Sequence, residues 1–259
     1  MTESGHLYGV GLGPGDSGLV TVAAAKIIGS ADVVAFHAGT HGHSTARGIA
    51  APYLASDNPD QIEELLTYPV TTGVADHAGG YAGALGEFYA SATARLAHHL
   101  DQGRSVAVLS LGDPMLYSSY QHLHPALADR YPTTVIPGVT SITAAAASVG
   151  RPLVEKDETL GVIPGTLSEE ELVQRLSQSD GAVVMKLGRT FPTVRRALVR
   201  AGQADRAYVV VRATMEGEQV IPLLEVDPAA VPYFAVAVVP SPTDSELRRS
   251  TEGSVERSK

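Results

Sequence analysis

LYGVGLGPGD, residues 7–16, reads as a short apolar strand running into a glycine-rich turn. Glycine takes every second position from Gly9 to Gly15, with Pro14 between the last two. Extended to Gly18, the segment matches G-x-G-x-x-G from Gly13, a pattern associated with dinucleotide phosphates. Two features oppose that reading. Pro14 removes an N–H from a loop whose N–H groups would have to cradle phosphate. Asp32, the acidic residue at about the right distance, opens the second strand, whereas the ribose would need it at the far end, where His37 stands. What remains is steric, because glycines at alternate positions bare one face of a strand. The segment alone leaves open whether a ligand packs there or the turn is merely tight.

Downstream, short apolar runs alternate with helical patterns. DVVAFH is a second strand, residues 44–55 are helical, and LLTYPV is a short strand within the harder stretch 56–78. YAGALGEFYASATARLAHHLDQG is a long amphipathic helix, SVAVLSLGD the clearest buried strand, YSSYQHLHPALAD a helix and TTVIPGV a strand. After Gly150 the rhythm resumes with TLGVIPG, GAVVMKLG, AYVVVRATM, EQVIPL and YFAVAVV as strands. Asp16 or Ser17 is expected to cap the first helix, and Ser168 with Glu171 forms a capping box. The alternation predicts an α/β protein of two lobes, 1–138 and 139–242, with a cleft between them and a polar, disordered tail at 243–259.

The chain has 259 residues, 44% hydrophobic and 18% charged, which suits a globular protein with a sizeable core. Its formal net charge of −9 argues against nucleic acid or an anionic membrane as partner. With no cysteine, disulfides and thiol chemistry are excluded. No signal peptide or membrane-length apolar run is seen, so a cytoplasmic location is expected.

Two further strand-end loops draw attention. In LSLGDPMLYSSY, residues 109–120, Gly112-Asp113-Pro114 makes a sharp exit. Asp113 there either accepts hydrogen bonds from a ligand or caps the next helix. VIPGVTSI, residues 135–142, brings Gly138, Thr140 and Ser141, whose hydroxyls serve as caps, ligand contacts or both.

Taken in order, YGVGLGPGD, GDPMLYSS, VIPGVTS and ETLGVIPGT resemble the tetrapyrrole methylase family across roughly residues 6–242. MLYSS after GDP resembles the branch that methylates C20 of precorrin-2, or its cobalt complex, in cobalamin biosynthesis. Ser17-Gly18 departs from the family, whose members often carry proline and an acidic residue there. The resemblance implies two α/β domains with S-adenosyl-L-methionine in the cleft between them, a glycine turn beside the cofactor that opens toward the tetrapyrrole, and a homodimer. It places Pro14, Leu111, Gly112, Asp113, Leu116, Thr140, Ser141, Ile142, Met185, Leu187, Ala213 and Thr214 around the cofactor; by pattern alone, Met185 and Leu187 would be core residues.

The chemistry asks for little beyond alignment of the methyl with a nucleophilic ring carbon and removal of a proton afterwards. Tyr117 and Lys186 are the candidate catalytic residues. A polycarboxylate substrate sits awkwardly with an acidic protein, so local cations must line its site. His37 and Arg47, in the segment HAGTHGHSTAR, together with Tyr117 and Tyr120, are the candidate substrate contacts. The histidines of that segment are too irregularly spaced for a metal site, and no metal is expected. The alternatives are a family member acting at another ring carbon, or a non-catalytic protein that binds S-adenosylmethionine or a tetrapyrrole.

Overall fold

A computed structural model of the chain describes residues 4–54, 59–69 and 77–242. The chain divides into two compact units, Met1–Thr140 and Ser141–Lys259. In the first, strands β1 (Leu7–Gly11), β2 (Val33–Ala38), β3 (Ile62–Thr67), β4 (Val106–Ser110) and β5 (Thr133–Ile136) form a wholly parallel sheet, in the order β3-β2-β4-β1-β5. Burial on both faces explains why these strands read as unbroken apolar runs. Val33, Ala35, Val106 and Val108 pack on one face against α3 (Gly80–Asp101) and α4 (Tyr120–Ala128). Val34, Phe36, Ala107 and Leu109 pack on the other against α1 (Val22–Ser30) and α2 (Thr45–Ala50). Such alternation follows from the two-residue period of a strand.

Helices following β1 and β4 thus lie on opposite faces, although the two strands are neighbours. In a parallel sheet the carboxyl ends of such a pair open a crevice, because the two chains leave in opposite directions. The loops at this point are residues 12–16 and 111–117, and the third loop, after β5, adjoins them.

The second unit holds β6 (Leu160–Pro164), β7 (Gly181–Met185), β8 (Tyr208–Val211), β9 (Gln219–Pro222) and β10 (Ala235–Val239), in the order β6-β7-β10-β8-β9. β10 runs antiparallel to both β7 and β8. Ala182, Val184, Val209, Ala237 and Val239 pack against α6 (Glu169–Ser177) and α7 (Phe191–Arg200). α5 (Ser141–Val149) packs against β8 and β10. The capping box stands as read, with Ser168 and Glu171 satisfying each other's backbone N–H.

Several boundaries differ from the sequence pattern. Asp16 caps only the short 3-10 turn Ser17–Leu19, and Thr21 caps α1. α4 starts at Tyr120 and β8 stops at Val211 because Tyr117 and Arg212 adopt left-handed backbone conformations, with φ of 52° each, which neither a helix nor a strand admits. Residues 55–58, the end of LLTYPV at Val70 and the segment 243–259 lie outside the described residues.

The close approach of the first unit's loops generates a paired prediction. A Cβ on Gly138 would lie 2.1 Å from the Gly112 carbonyl oxygen and 2.9 Å from Gly11 Cα, both backbone atoms. Gly138→Ala should therefore destabilise the protein by about 1–3 kcal/mol in urea denaturation. Gly86→Ala, on an exposed turn of α3 with nothing within 4 Å of the new methyl, should instead stabilise it by about 0.5–1 kcal/mol.

Candidate functional site

Three strand-end loops of the first unit are stitched together by main chain. Gly13 and Gly112 pair as an antiparallel bridge, the Gly13 N–H donating to Gly112 O at 3.2 Å and the Gly112 N–H to Gly13 O at 2.8 Å. Asp113 fastens the third loop, its Oδ2 accepting from the Gly138 N–H at 3.0 Å while Oδ1 accepts from the Met115 N–H at 2.8 Å. Asp113 is thus neither the cap of α4 nor committed on every lone pair, since a carboxylate can accept about four hydrogen bonds. Pro14, Leu111, Gly112 and Asp113 are brought together here, and Leu116 follows through its N–H to Asp113 O at 3.3 Å.

The glycines of this region serve two purposes. Gly9 leaves a notch that the Tyr120 ring fills, since a Cβ there would lie 2.4 Å from Tyr120 Cζ. Gly11 and Gly138 let two backbones meet. Protein therefore fills the bare face of β1. Gly112 differs: with φ at 71°, a Cβ added to it would meet nothing within 4 Å. The main chain is open to a ligand at Gly112, beside Asp113.

The MLYSS segment is tied down by its serines. Ser118 Oγ donates to Ser110 Oγ at 3.0 Å, and Ser119 Oγ forms a short hydrogen bond with the Tyr68 hydroxyl. Between these anchors and the loop, Tyr117 turns left-handed and stands 42% exposed. Tyr120 has no exposed surface; its hydroxyl bonds His124 Nδ1 at 2.9 Å and burial pushes its pKa up to about 12. It walls the site, against the expectation of substrate contact.

The cations expected at the substrate are also differently placed. Arg47 holds Glu63 in a fork, Nε to Oε2 at 2.8 Å and Nη2 to Oε1 at 2.9 Å, which draws the Glu63 carboxyl below its usual range. His37 stacks on Tyr68 with ring centroids 5.3 Å apart and packs against Phe88. Burial lowers its pKa to about 4, and its Nε2 finds no hydrogen-bond partner among the described residues. Near neutral pH it is an uncharged ring, so it offers a substrate no positive charge. Among the described residues no three His, Asp or Glu side chains gather as a metal site, and no helix is long and apolar enough to cross a membrane.

In the second unit, Met185, Lys186 and Leu187 follow β7, and Ala213 and Thr214 follow β8. Both strands run antiparallel to the β10 between them, so these segments share one sheet edge. Lys186 and Thr214 are left-handed, with φ of 60° and 65°. Leu187 is fully buried in the core, which leaves only its main chain for a ligand. Glu218 holds the turn after β8, accepting from the Thr214 N–H and, at 2.8 Å, from Ser148 Oγ of α5. Ser141 and Ile142 open α5, and Thr140 ends the first unit. Sequence reasoning passed over Tyr68 and Arg212; an arginine interrupting the apolar run of AYVVVRATM was the available signal for the second.

The profile of the Tetrapyrrole (Corrin/Porphyrin) Methylases matches residues 6–227. The chain is 55% identical over 240 residues to Cobalamin biosynthesis protein CobIJ of Mycobacterium tuberculosis, covering 93% of this chain and 47% of that protein. It thus spans about half the length of that curated relative. It is 44% identical over 236 residues to the Precorrin-2 C(20)-methyltransferase of a Sinorhizobium species, covering 91% of this chain and 95% of the relative. A solved structure with a similar fold is uroporphyrin-III C-methyl transferase from Thermus thermophilus complexed with S-adenosylhomocysteine, at 22% identity and a TM-score of 0.65, covering 91% of this chain and 97% of the other.

The buried imidazole carries a pH prediction. Between pH 6.5 and about 4 the unfolded chain takes up a proton that folded His37 refuses, so stability is full above pH 6.5 and falls as pH drops through that window. The shift corresponds to about 3 kcal/mol at 1.36 kcal/mol per unit. Chemical denaturation of His37→Gln at pH 4–7 should give a flatter profile than wild type by up to that amount.

Proposed function

We propose, because the chain belongs to the tetrapyrrole (corrin/porphyrin) methylase family, that it transfers a methyl group from S-adenosylmethionine to C20 of precorrin-2 or its cobalt complex in cobalamin biosynthesis. The observation that carries the choice of C20 is the 44% identity that runs almost end to end with the relative named for that reaction. A different ring carbon within the same family is the second reading, since the 55% identity to the cobalamin protein CobIJ covers only about half of that protein and specifies no ring carbon.

S-adenosylmethionine supplies a sulfonium methyl with a good leaving group already in place, so the protein's task is alignment. The open main chain at Gly112 fits such a ligand, because a Cβ at Gly9, Gly11, Gly13 or Gly138 would meet protein atoms and one at Gly112 would not. We assign Pro14, Leu111, Gly112, Asp113, Leu116 and Thr140 as the first unit's contacts, with Asp113 accepting from ligand hydroxyl or amino groups. The second unit contributes Ser141, Ile142, Met185, Ala213, Thr214 and the main chain of Leu187.

Tyr117 and Lys186 are assigned to the substrate. The exposed Tyr117 ring packs on the macrocycle or donates its hydroxyl, and Lys186 pairs with a carboxylate or assists departure of the ring proton. Alignment of this kind contributes through orientation, where small displacements cost rate steeply. The assembly is assigned as a homodimer, in line with the family.

Mass spectrometry and NMR of the product formed from S-adenosylmethionine with precorrin-2, and separately with its cobalt complex, test the reaction. One methyl at C20 is expected; a methyl at another carbon would leave the family assignment and remove this one. Tyr117→Phe and Lys186→Ala should lower turnover at least tenfold while S-adenosylhomocysteine affinity stays within about threefold. Asp113→Ala should weaken that affinity.

A further inference from the structure

The second unit ends two strands in the same way. β7 finishes at Met185 and is followed by Lys186 with φ at 60°, then by Leu187, which is fully buried. β8 finishes at Val211 and is followed by Arg212 with φ at 52°, then by Ala213, also buried. A left-handed conformation is costly for any residue with a side chain and is ordinarily given to glycine. Here it is imposed twice on a cation. At Arg212 it is fixed from both sides, since the Arg212 N–H donates to Phe234 O at 2.8 Å and Arg212 O accepts from the Met215 N–H at 2.8 Å. Backbone strain held this firmly concentrates where a side chain must point a particular way.

The neighbouring arginines have other occupations. Arg195 donates to the Leu224 and Val226 carbonyls, Arg196 and Arg200 pair with Glu169, and Arg206 donates to the Asp180 and Pro240 carbonyls. The guanidinium groups of Arg212 and Arg189 make no hydrogen bond or ion pair with any described residue, and both residues are exposed. Arg189 lies in the short turn Gly188–Thr190 after β7. Because β7 and β8 both run antiparallel to the β10 between them, the segments that carry the two arginines leave the same end of the sheet. Arg212 also borders a recess of about 500 Å³ whose lining includes apolar Val211 and Ile221 and acidic Glu225 and Asp227.

We propose that Arg212, together with Arg189, forms an anion subsite that takes the acid side chains of a polycarboxylate macrocycle. The identity of that ligand rests on the function proposed above. The planar guanidinium suits bidentate pairing with a carboxylate, and two such groups on segments leaving the same end of the sheet can engage two acid side chains of one ring. With Glu225 and Asp227 nearby, an acid that misses Arg212 meets repulsion, so the subsite discriminates as well as binds. It supplies positive charge that Arg47, held by Glu63, and neutral His37 do not.

Titration with uroporphyrin III, a stable polycarboxylic porphyrin, and with its methyl ester in the same mild detergent tests the subsite directly. Arg212→Gln should weaken binding of the free acid at least tenfold, Arg189→Gln by a smaller factor, and Arg212→Lys less than Arg212→Gln. Affinity for the ester should be the same in all. Arg212→Gly, which adopts the left-handed backbone freely, must reproduce the loss; a loss confined to Arg212→Gln would mark a folding effect and overturn the proposal. Free-acid binding within twofold of wild type in Arg212→Gln, or no binding by wild type, would also overturn it. Binding through Arg212 by a wild type that methylates no precorrin would uphold the subsite and remove the reaction.

Discussion

No side chain fits between the loops that follow β1, β4 and β5, and the first unit is organised around that contact. Gly11, Gly112 and Gly138 bring three backbones within touching distance, and the bridge from Gly13 to Gly112 and the bond from Gly138 to Asp113 hold them there. The arrangement is possible only because parallel strands end side by side and their chains then leave on opposite faces of the sheet. It leaves Gly112 as the place where main chain stays open, with Asp113 the next residue along the chain. Rigid loops on a rigid sheet are what a reaction governed by alignment requires.

Local signals carried most of the architecture. Two-sided burial of the parallel strands made them legible as apolar runs, and Ser168 with Glu171 announced α6 because a capping box acts over three residues. Where the reading slipped, the cause lay far away in the chain. Tyr117 is turned left-handed among contacts that include Ser119 to Tyr68, 51 residues distant, so nothing in YSSYQHLHPALAD shows that the helix starts late. Arg212 is fixed by Phe234 in the same manner. The bare face at Gly9 reads from sequence as open either to a ligand or to packing, because the sequence cannot show that Tyr120 fills it. Arg47, on α2, looked like a cation for a substrate because its partner Glu63 belongs to a different element, β3.

These long-range ties also sort the charges. An acidic protein that is to hold an acidic ring has to keep some cations out of internal pairs. In the second unit the helical arginines Arg195, Arg196 and Arg200 are committed, whereas those following β7 and β8 are not. Helix faces offer neighbours at three and four residues and on adjacent helices, so a long side chain there readily finds a partner. The exposed guanidinium groups of Arg189 and Arg212, on the segments after β7 and β8, have no such partner among the described residues and stay available to something outside the protein.

Tyr120 seated in the notch at Gly9 has a consequence for ancestry. The two residues are 111 positions apart, yet neither can drift alone: a methyl at position 9 collides with the ring, and a smaller residue at position 120 leaves a void against β1. Descendants of this sequence should therefore carry the pair together or exchange both members at once. Lineages that kept the bare glycine but lost the aromatic ring would have to fill the gap from elsewhere, and where they do, the wall beside the glycine turn will have been rebuilt.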